Sequence, residues 1–181
     1  LKEVIEEGRE RLEKVADSIG ITSFTLEDEA FVRPRESFVR LRAEVDLLRE
    51  MVVGDELRDW SHSTGEVALF PYGSEFTPVE LQEFVGAYRS MWPYRTNLSN
   101  NKLFGQQTKV DAGMKWWEFG RLTSTKLRTP LSITFGEVAT RNHFVFDRGG
   151  KVFKQTAPVL KLPAGAGEDD HLALLGLLSS S

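Results

Sequence analysis

The chain has 181 residues, enough for one ordinary domain with a real core, or one domain plus a helical appendage. At 40% hydrophobic and 28% charged it has a soluble globular composition, and no apolar run approaches the roughly 18 residues of a membrane span. Cysteine is absent, which excludes disulfides, zinc–thiolate sites and thiol catalysis.

The net charge of −4 is unevenly spread. Residues 1–60 carry 10 Lys/Arg against 16 Asp/Glu, whereas residues 91–163 carry 12 against 4. A basic block inside an acidic chain points to a surface that meets an anion, or to charge answered by acidic neighbours within the fold. The opening residues are acidic and charged, with no visible secretory signal, so the cytoplasm is the expected compartment.

Residues 1–19 read as a helix. Leu1, Val4, Ile5, Leu12, Val15, Ala16 and Ile19 recur at three-and-four spacing, and Gly20 is the expected stop. Residues 36–50 read as a second helix, with Phe38, Leu41, Val45 and Leu48 on one side. "VALFPY" (67–72) reads as a short strand. A helix is expected after it, with Thr77 as N-cap, Pro78 in the first turn, Glu80 completing a capping box, and Pro93 as terminator.

Residues 95–112 change character. Asn97, Asn100, Asn101, Gln106 and Gln107 sit among Arg95, Lys102 and Lys109 in what reads as a polar loop. Trp116 and Trp117 could open a short helix or an extended segment, with at least one of them in the core. "RLTSTKLR" (121–128) reads as an exposed loop held out by that anchor. "LSITFGEVA" and "HFVFD" read as strands, and "DRGGKVF" as a hairpin turn in which Gly149 and Gly150 supply positive φ. "TAPVLKLP" is a third extended run. "AGAGEDD" is a loop, and Asp169 or Asp170 could cap a final, apolar helix that stops after about two turns, as if the chain continued in something longer. The fold class expected is α+β: a helical connector over 1–50, then a mixed, mostly antiparallel small sheet with flanking helices over 51–181.

The search for a reaction centre is mostly negative. His62, His143 and His171 are far apart in sequence and show no ligand spacing, so no metal site is expected. There is no phosphate-binding loop, no dinucleotide fingerprint and no nucleophile elbow. Binding fits better. Nucleic acid needs Lys and Arg for phosphate, with hydroxyls and amides for phosphate or base edges. Residues 95–128 hold all of these. Arg121, Lys126 and Arg128 are the first candidates to touch DNA, with Thr123, Ser124 and Thr125 donating to the backbone. Arg141 and Asn142, before a strand, come second, with Asn100, Asn101, Gln106 and Gln107. Gly54, Arg58 and Trp60 read as structural: an Arg bonding backbone, with Trp60 packed over it. A module docking a partner subunit or inhibitor through the basic face is the competing reading.

"MVVGDELRDW" (51–60), "MKWWEFGR" (114–121), "ITFGEVATRNHFVFDRGGKVF" (133–153) and "TAPVLKLP" with "LALLGLLSSS" (156–181) resemble, in that order, one region of large adenine-N6 DNA methyltransferases. These are the single-chain type IIG-like enzymes and the PglX-type enzymes of BREX phage-exclusion systems. Gly54, Leu57, Arg58, Asp59 and Trp60 match one family element. Trp116, Trp117, Glu118, Phe119, Gly120 and Arg121 match a second, and Ala139 to Asp147 a third. Ser179 and Ser180 stand where the family continues into a longer helix. The resemblance implies a TaqI-like target recognition segment that contacts double-stranded DNA beside a catalytic domain. The family's Asn-Pro-Pro-[Tyr/Phe] and its S-adenosylmethionine loop are absent from this sequence. The resemblance therefore implies no cofactor in this segment, S-adenosylmethionine in the parent enzyme, no membrane, and possible defence-system partner proteins.

Overall fold

The computed structural model describes residues 12–62, 65–141 and 143–180. The chain is α+β, with short helices and several small, mostly antiparallel sheets. It forms two compact units that interleave along the sequence. One takes residues 12–22, 52–62 and 123–180; the other takes 23–51 and 65–122.

The first unit is built on a four-stranded sheet in the order Ser18–Gly20, Val159–Lys161, Ser132–Phe135, Phe144–Asp147, each neighbour antiparallel to the next. Alternation along the strands gives it two apolar faces. Ile133 and Leu160 lie under the helix Glu168–Ser179, packed with Leu174, Leu175, Leu178, Leu12 and Ala16. Val145 and Val159 belong to a second cluster with Val52, Leu57, Phe153 and Ala157. Gly54 lies against the backbone here: a Cβ would stand 2.1 Å from the Thr156 carbonyl oxygen.

Three expectations are corrected in this unit. Residues 1–11 of the expected first helix lie outside the described residues. Of the rest, only Leu12–Val15 is helical, and Ser18–Gly20 is a strand. Asp17 N–H donates to the Lys161 carbonyl at 2.8 Å, and Ser18 registers with Lys161, so edge pairing overrides the helical period. The Gly149–Gly150 turn has its positive φ of 94° and 81°, but it closes no hairpin: Phe144–Asp147 pairs with Ser132–Phe135, and Val152–Phe153 lies outside that sheet. The last helix begins earlier than expected. Gly167 is its N-cap, and Asp170 reaches back to accept the Gly167 N–H at 2.8 Å.

In the second unit, Glu66–Leu69 pairs with Val32–Pro34 on one side and Leu48–Val52 on the other. Its core is aromatic: Phe31, Phe70 and Tyr72 surround the fully buried Phe119. The expected helix 36–50 ends at Arg40. Arg42 takes a φ of 56°, and Gly86 packs on it so closely that a Cβ would stand 1.8 Å from the Arg42 carbonyl oxygen. Leu41 and Val45 are exposed, and Leu48–Val52 is a strand. The expected helix from Thr77 begins instead at Val85. Thr77 accepts the Gly73 N–H at 2.9 Å, Pro78 bridges to Tyr72, and Glu80 pairs with Lys115. The helix start is held by Glu44, whose two carboxylate oxygens accept the Gly86 and Ala87 N–H groups at 3.0 and 2.9 Å. Burial alone would raise the Glu44 pKa, but the bonds from Ala87 and Gly86 outweigh it and hold it below the usual carboxylate range.

Candidate nucleic-acid interface

The run "WWEFGRLTSTKLR" divides between the units. Its first half is an anchor in the second unit, and it is neither helix nor strand but a turn. Trp117 is buried, and its indole N–H donates to the Val79 carbonyl at 3.1 Å. Trp116 is half-buried among Tyr88, Trp92 and Trp117. The Phe119 N–H donates to the Tyr72 hydroxyl at 2.7 Å, and burial pushes the Tyr72 phenol up. Beneath the turn lies Lys109, fully buried, its ammonium donating to the carbonyls of Trp116 at 3.1 Å and Glu118 at 2.7 Å. Burial pushes the Lys109 pKa down to about 8, against the opposing pull of Glu118 and Glu27.

Arg121 leaves this anchor exposed, in the two-residue strand Arg121–Leu122, opposite Phe24 in Ser23–Phe24. Residues directly opposite in an antiparallel pair project from the same face. Phe24 in turn stacks on Phe104 with ring centroids 6.1 Å apart. The second unit therefore brings Arg121 together with the amide-rich turn around Phe104. Gln106 and Gln107 are exposed there; Gln106 accepts from the Lys102 ammonium at 3.2 Å, and Gln107 donates to the Asp111 carbonyl at 2.9 Å. The polar segment is not all loop, since Arg95–Asn100 is helical. Asn100 is exposed at its end; Asn101 is half-buried, and its carbonyl accepts the Lys109 N–H at 3.1 Å.

In the first unit, Thr123–Arg128 is not the expected loop. Thr123 precedes a short helix, Ser124–Arg128, whose Leu127 packs against the Val145 cluster. Thr125 and Arg128 are exposed and one turn apart; Thr123, Ser124 and Lys126 are half-buried. The Lys126 ammonium lies over Gly20, 3.2 Å from where a Cβ would stand. Nearby, the buried Lys161 donates to the carbonyls of Thr129 at 2.5 Å and Leu131 at 2.9 Å. Burial first, with Lys126 adding to it, pushes the Lys161 pKa down to about 8, while Asp147 opposes.

Arg141 is exposed in the loop before Phe144–Asp147, and Asn142 lies outside the described residues. That loop faces a cleft of about 360 Å³ lined by Gly54, Asp55, Leu57, Arg58 and His143 among others. His143 pairs with Asp59 at 2.8 Å across 84 residues, a pairing that sequence spacing hides. Arg58 bonds backbone as expected, donating to the Asp55 and Leu57 carbonyls at 2.8 and 2.7 Å. Trp60 is 62% exposed, in a tight turn with φ of 69°.

Sequence reasoning missed Phe104, Lys161 and the structural part of Lys109. A lone Phe before a Gly in an amide-rich run was the available signal for a turn tip; the carbonyl partners of Lys109, 7 and 9 residues away, and of Lys161, 32 and 30 away, left none. No helix among the described residues is long and apolar enough to cross a membrane.

Exposed cations, amides and an aromatic ring thus stand on turns held by buried anchors, on an α+β frame. That frame is shared with a restriction–modification enzyme. The chain aligns over 95% of its length, with a TM-score of 0.61 and 15% identity, to 22% of the Type IIL restriction-modification enzyme MmeI, solved in complex with DNA. In sequence, it is 41% identical over 163 residues, 90% of its length, to the adenine-specific methyltransferase PglX of Streptomyces coelicolor. It spans 14% of that protein. No protein-family model matches. The resemblance carried by Gly54–Trp60 and Trp116–Arg121 is thus borne out: the chain is related to a segment of a PglX-like adenine-specific methyltransferase.

Proposed function

We propose that this chain is the DNA-binding target recognition segment of a site-specific adenine-N6 DNA methyltransferase, acting in restriction–modification or BREX-type phage exclusion in the cytoplasm. The observation that carries the reading is the 41% identity to a segment of PglX, over nine tenths of the chain. The fold shared with MmeI, which was solved on DNA, supports it. Arg121, Thr125, Arg128 and Arg141 contact phosphate or base edges, and Asn100, Gln106 and Gln107 supply amide contacts. Thr123, Ser124, Lys126 and Asn101 are half-buried and act behind them; Asn142, next to Arg141 in sequence, belongs to the same group of contacts. Other proteins of a defence system are the further partners of this reading.

S-adenosylmethionine is the methyl donor in such an enzyme. Its binding does not fit the residues here. The turns at Gly105 and at Gly149–Gly150 do not join a strand to a helix N-terminus. In the full-length enzyme the donor and the flipped adenine belong to the catalytic domain, while this segment clamps the duplex and reads neighbouring bases.

Binding of the full-length chain to duplex DNA should weaken steeply with salt. Alanine at Arg121, Lys126 and Arg128 together should weaken it further, reducing the salt slope by about one for each phosphate no longer neutralised. Unchanged affinity and slope in a titration of that triple variant would remove the assignment.

A further inference from the structure

We infer that the turn spanning residues 102–108 is a wedge that inserts the Phe104 ring between base steps of duplex DNA. The inference rests on the DNA-binding reading above and goes beyond it to a named side chain and a deformation of the DNA.

Phe104 is 85% exposed, the most exposed large apolar residue among those described. It stands at the tip of a rigid turn. Lys102 and Thr108 form a bridge, Leu103 N–H donates to the Gln107 carbonyl at 2.8 Å, and Gln106 N–H donates to the Leu103 carbonyl at 3.2 Å. Gly105 at a φ of 123° and Gln106 at 75° complete the reversal. A non-glycine residue in the left-handed region is a cost the fold sustains to keep this shape. Below the tip, Thr108 donates to the Asp111 carboxylate at 2.6 Å, and the neighbouring Lys109 is pinned in the core by two carbonyls. Phe24 backs the ring from one side, at an interplanar angle of 28°.

A ring this exposed adds little to folding. It is held out, stiff, and ringed by groups suited to nucleic acid. Lys102 and Arg121 offer charge to phosphate, and Gln106 and Gln107 offer amides to base edges. The sole acid in residues 95–112 is Asp111, whose carboxylate accepts from Thr108. An acid-poor, cation-flanked aromatic tip suits an anionic polymer with stacked π-faces. Apolar wedges of this kind part a base step and are repaid by the contacts that the kink allows. Ring-on-base stacking is tolerant of sequence, so Phe104 sets position and deformation, not the identity of the base read.

The test uses the full-length chain and duplexes carrying 2-aminopurine at successive positions other than the target adenine. One position should brighten with the wild type as its stacking is broken. Phe104→Ala should abolish that signal and weaken binding roughly tenfold, with the salt slope unchanged. Phe104→Leu, still an apolar wedge, should keep most of both. If the wild type binds with steep salt dependence but Phe104→Ala changes neither fluorescence nor affinity, the wedge is overturned and the DNA-binding reading stands. A position that brightens equally in wild type and Phe104→Ala overturns the wedge too. If the wild type shows no salt-dependent duplex binding, the DNA-binding reading falls and the wedge falls with it.

Discussion

Lys109 in the second unit and Lys161 in the first are both sealed from solvent, and each ammonium is held by two carbonyls of one turn: Trp116 and Glu118 for Lys109, Thr129 and Leu131 for Lys161. One turn precedes Arg121 and the other follows Arg128, so the basic run is fixed at both ends by cations from within the basic block. The surroundings differ. Lys109 has the carboxylates of Glu118 and Glu27 near it, whereas Lys161 has Asp147 on one hand and the Lys126 ammonium on the other. The same device thus sits in an acidic setting in one unit and a mixed one in the other. Two cations of the basic block are spent on folding, so counting its charge overstates what it can present to DNA.

Replacing either lysine by Met removes its ammonium while keeping its volume. Lys109→Met leaves two buried carbonyls without a donor, at about 1–3 kcal/mol for each group so orphaned. Lys161→Met does the same, but it also relieves the repulsion from Lys126. Denaturant unfolding should therefore show the larger loss for Lys109→Met. Equal losses, or the reverse order, would mean that the neighbouring charges do not distinguish the two sites.

The next effect is on pH dependence. Both lysines titrate near pH 8 in the folded chain, against 10.5 ordinarily. Between those values the unfolded chain binds more protons, so stability rises with pH across that window. The Tyr72 phenol, raised by burial, acts oppositely near its ordinary value of 10, and so the cleanest range is pH 8 to about 9.5. Thermal melts of the wild type should shift upward over it, and either Lys→Met variant should flatten the rise. A flat wild-type profile would count against both lysines as buried cations.

Much of this frame was legible in the sequence, for reasons that differ by segment. The strands Ser132–Phe135 and Phe144–Asp147 and the anchoring of "WWEFG" come from local pattern: alternation, aromatic bulk and adjacent glycines. What was hidden depends on partners far along the chain. Residues 18–20 and 48–50 carry a helical period, yet strand partners at 159–161 and 67–69 claim them. Of the residues expected to touch DNA, Arg121, Arg128 and Gln106 are exposed, as that expectation requires. Sequence reasoning could not foresee that Leu127 would turn "TSTKLR" into a helix with Lys126 half-buried, because that depends on a cluster drawn from residues 52–159.

The smallest expected effect separates the units by how they close a helix start. In the first unit the helix Glu168–Ser179 is capped locally, by Asp170 reaching back to Gly167. In the second, Glu44 caps Gly86 and Ala87 from 42 and 43 residues away. Glu44→Gln keeps the shape but replaces a two-oxygen acceptor by one carbonyl and removes its charge, a loss of about 1 kcal/mol at neutral pH. The Glu44 pKa is lowered in the fold, so the wild-type advantage is present above the ordinary carboxylate value and disappears as pH falls through the lowered one. Urea unfolding of wild type and Glu44→Gln should converge as the medium is acidified. A gap that persists undiminished at low pH would mean that the carboxylate charge is not what holds the Gly86 end, and that the long-range cap works through packing alone.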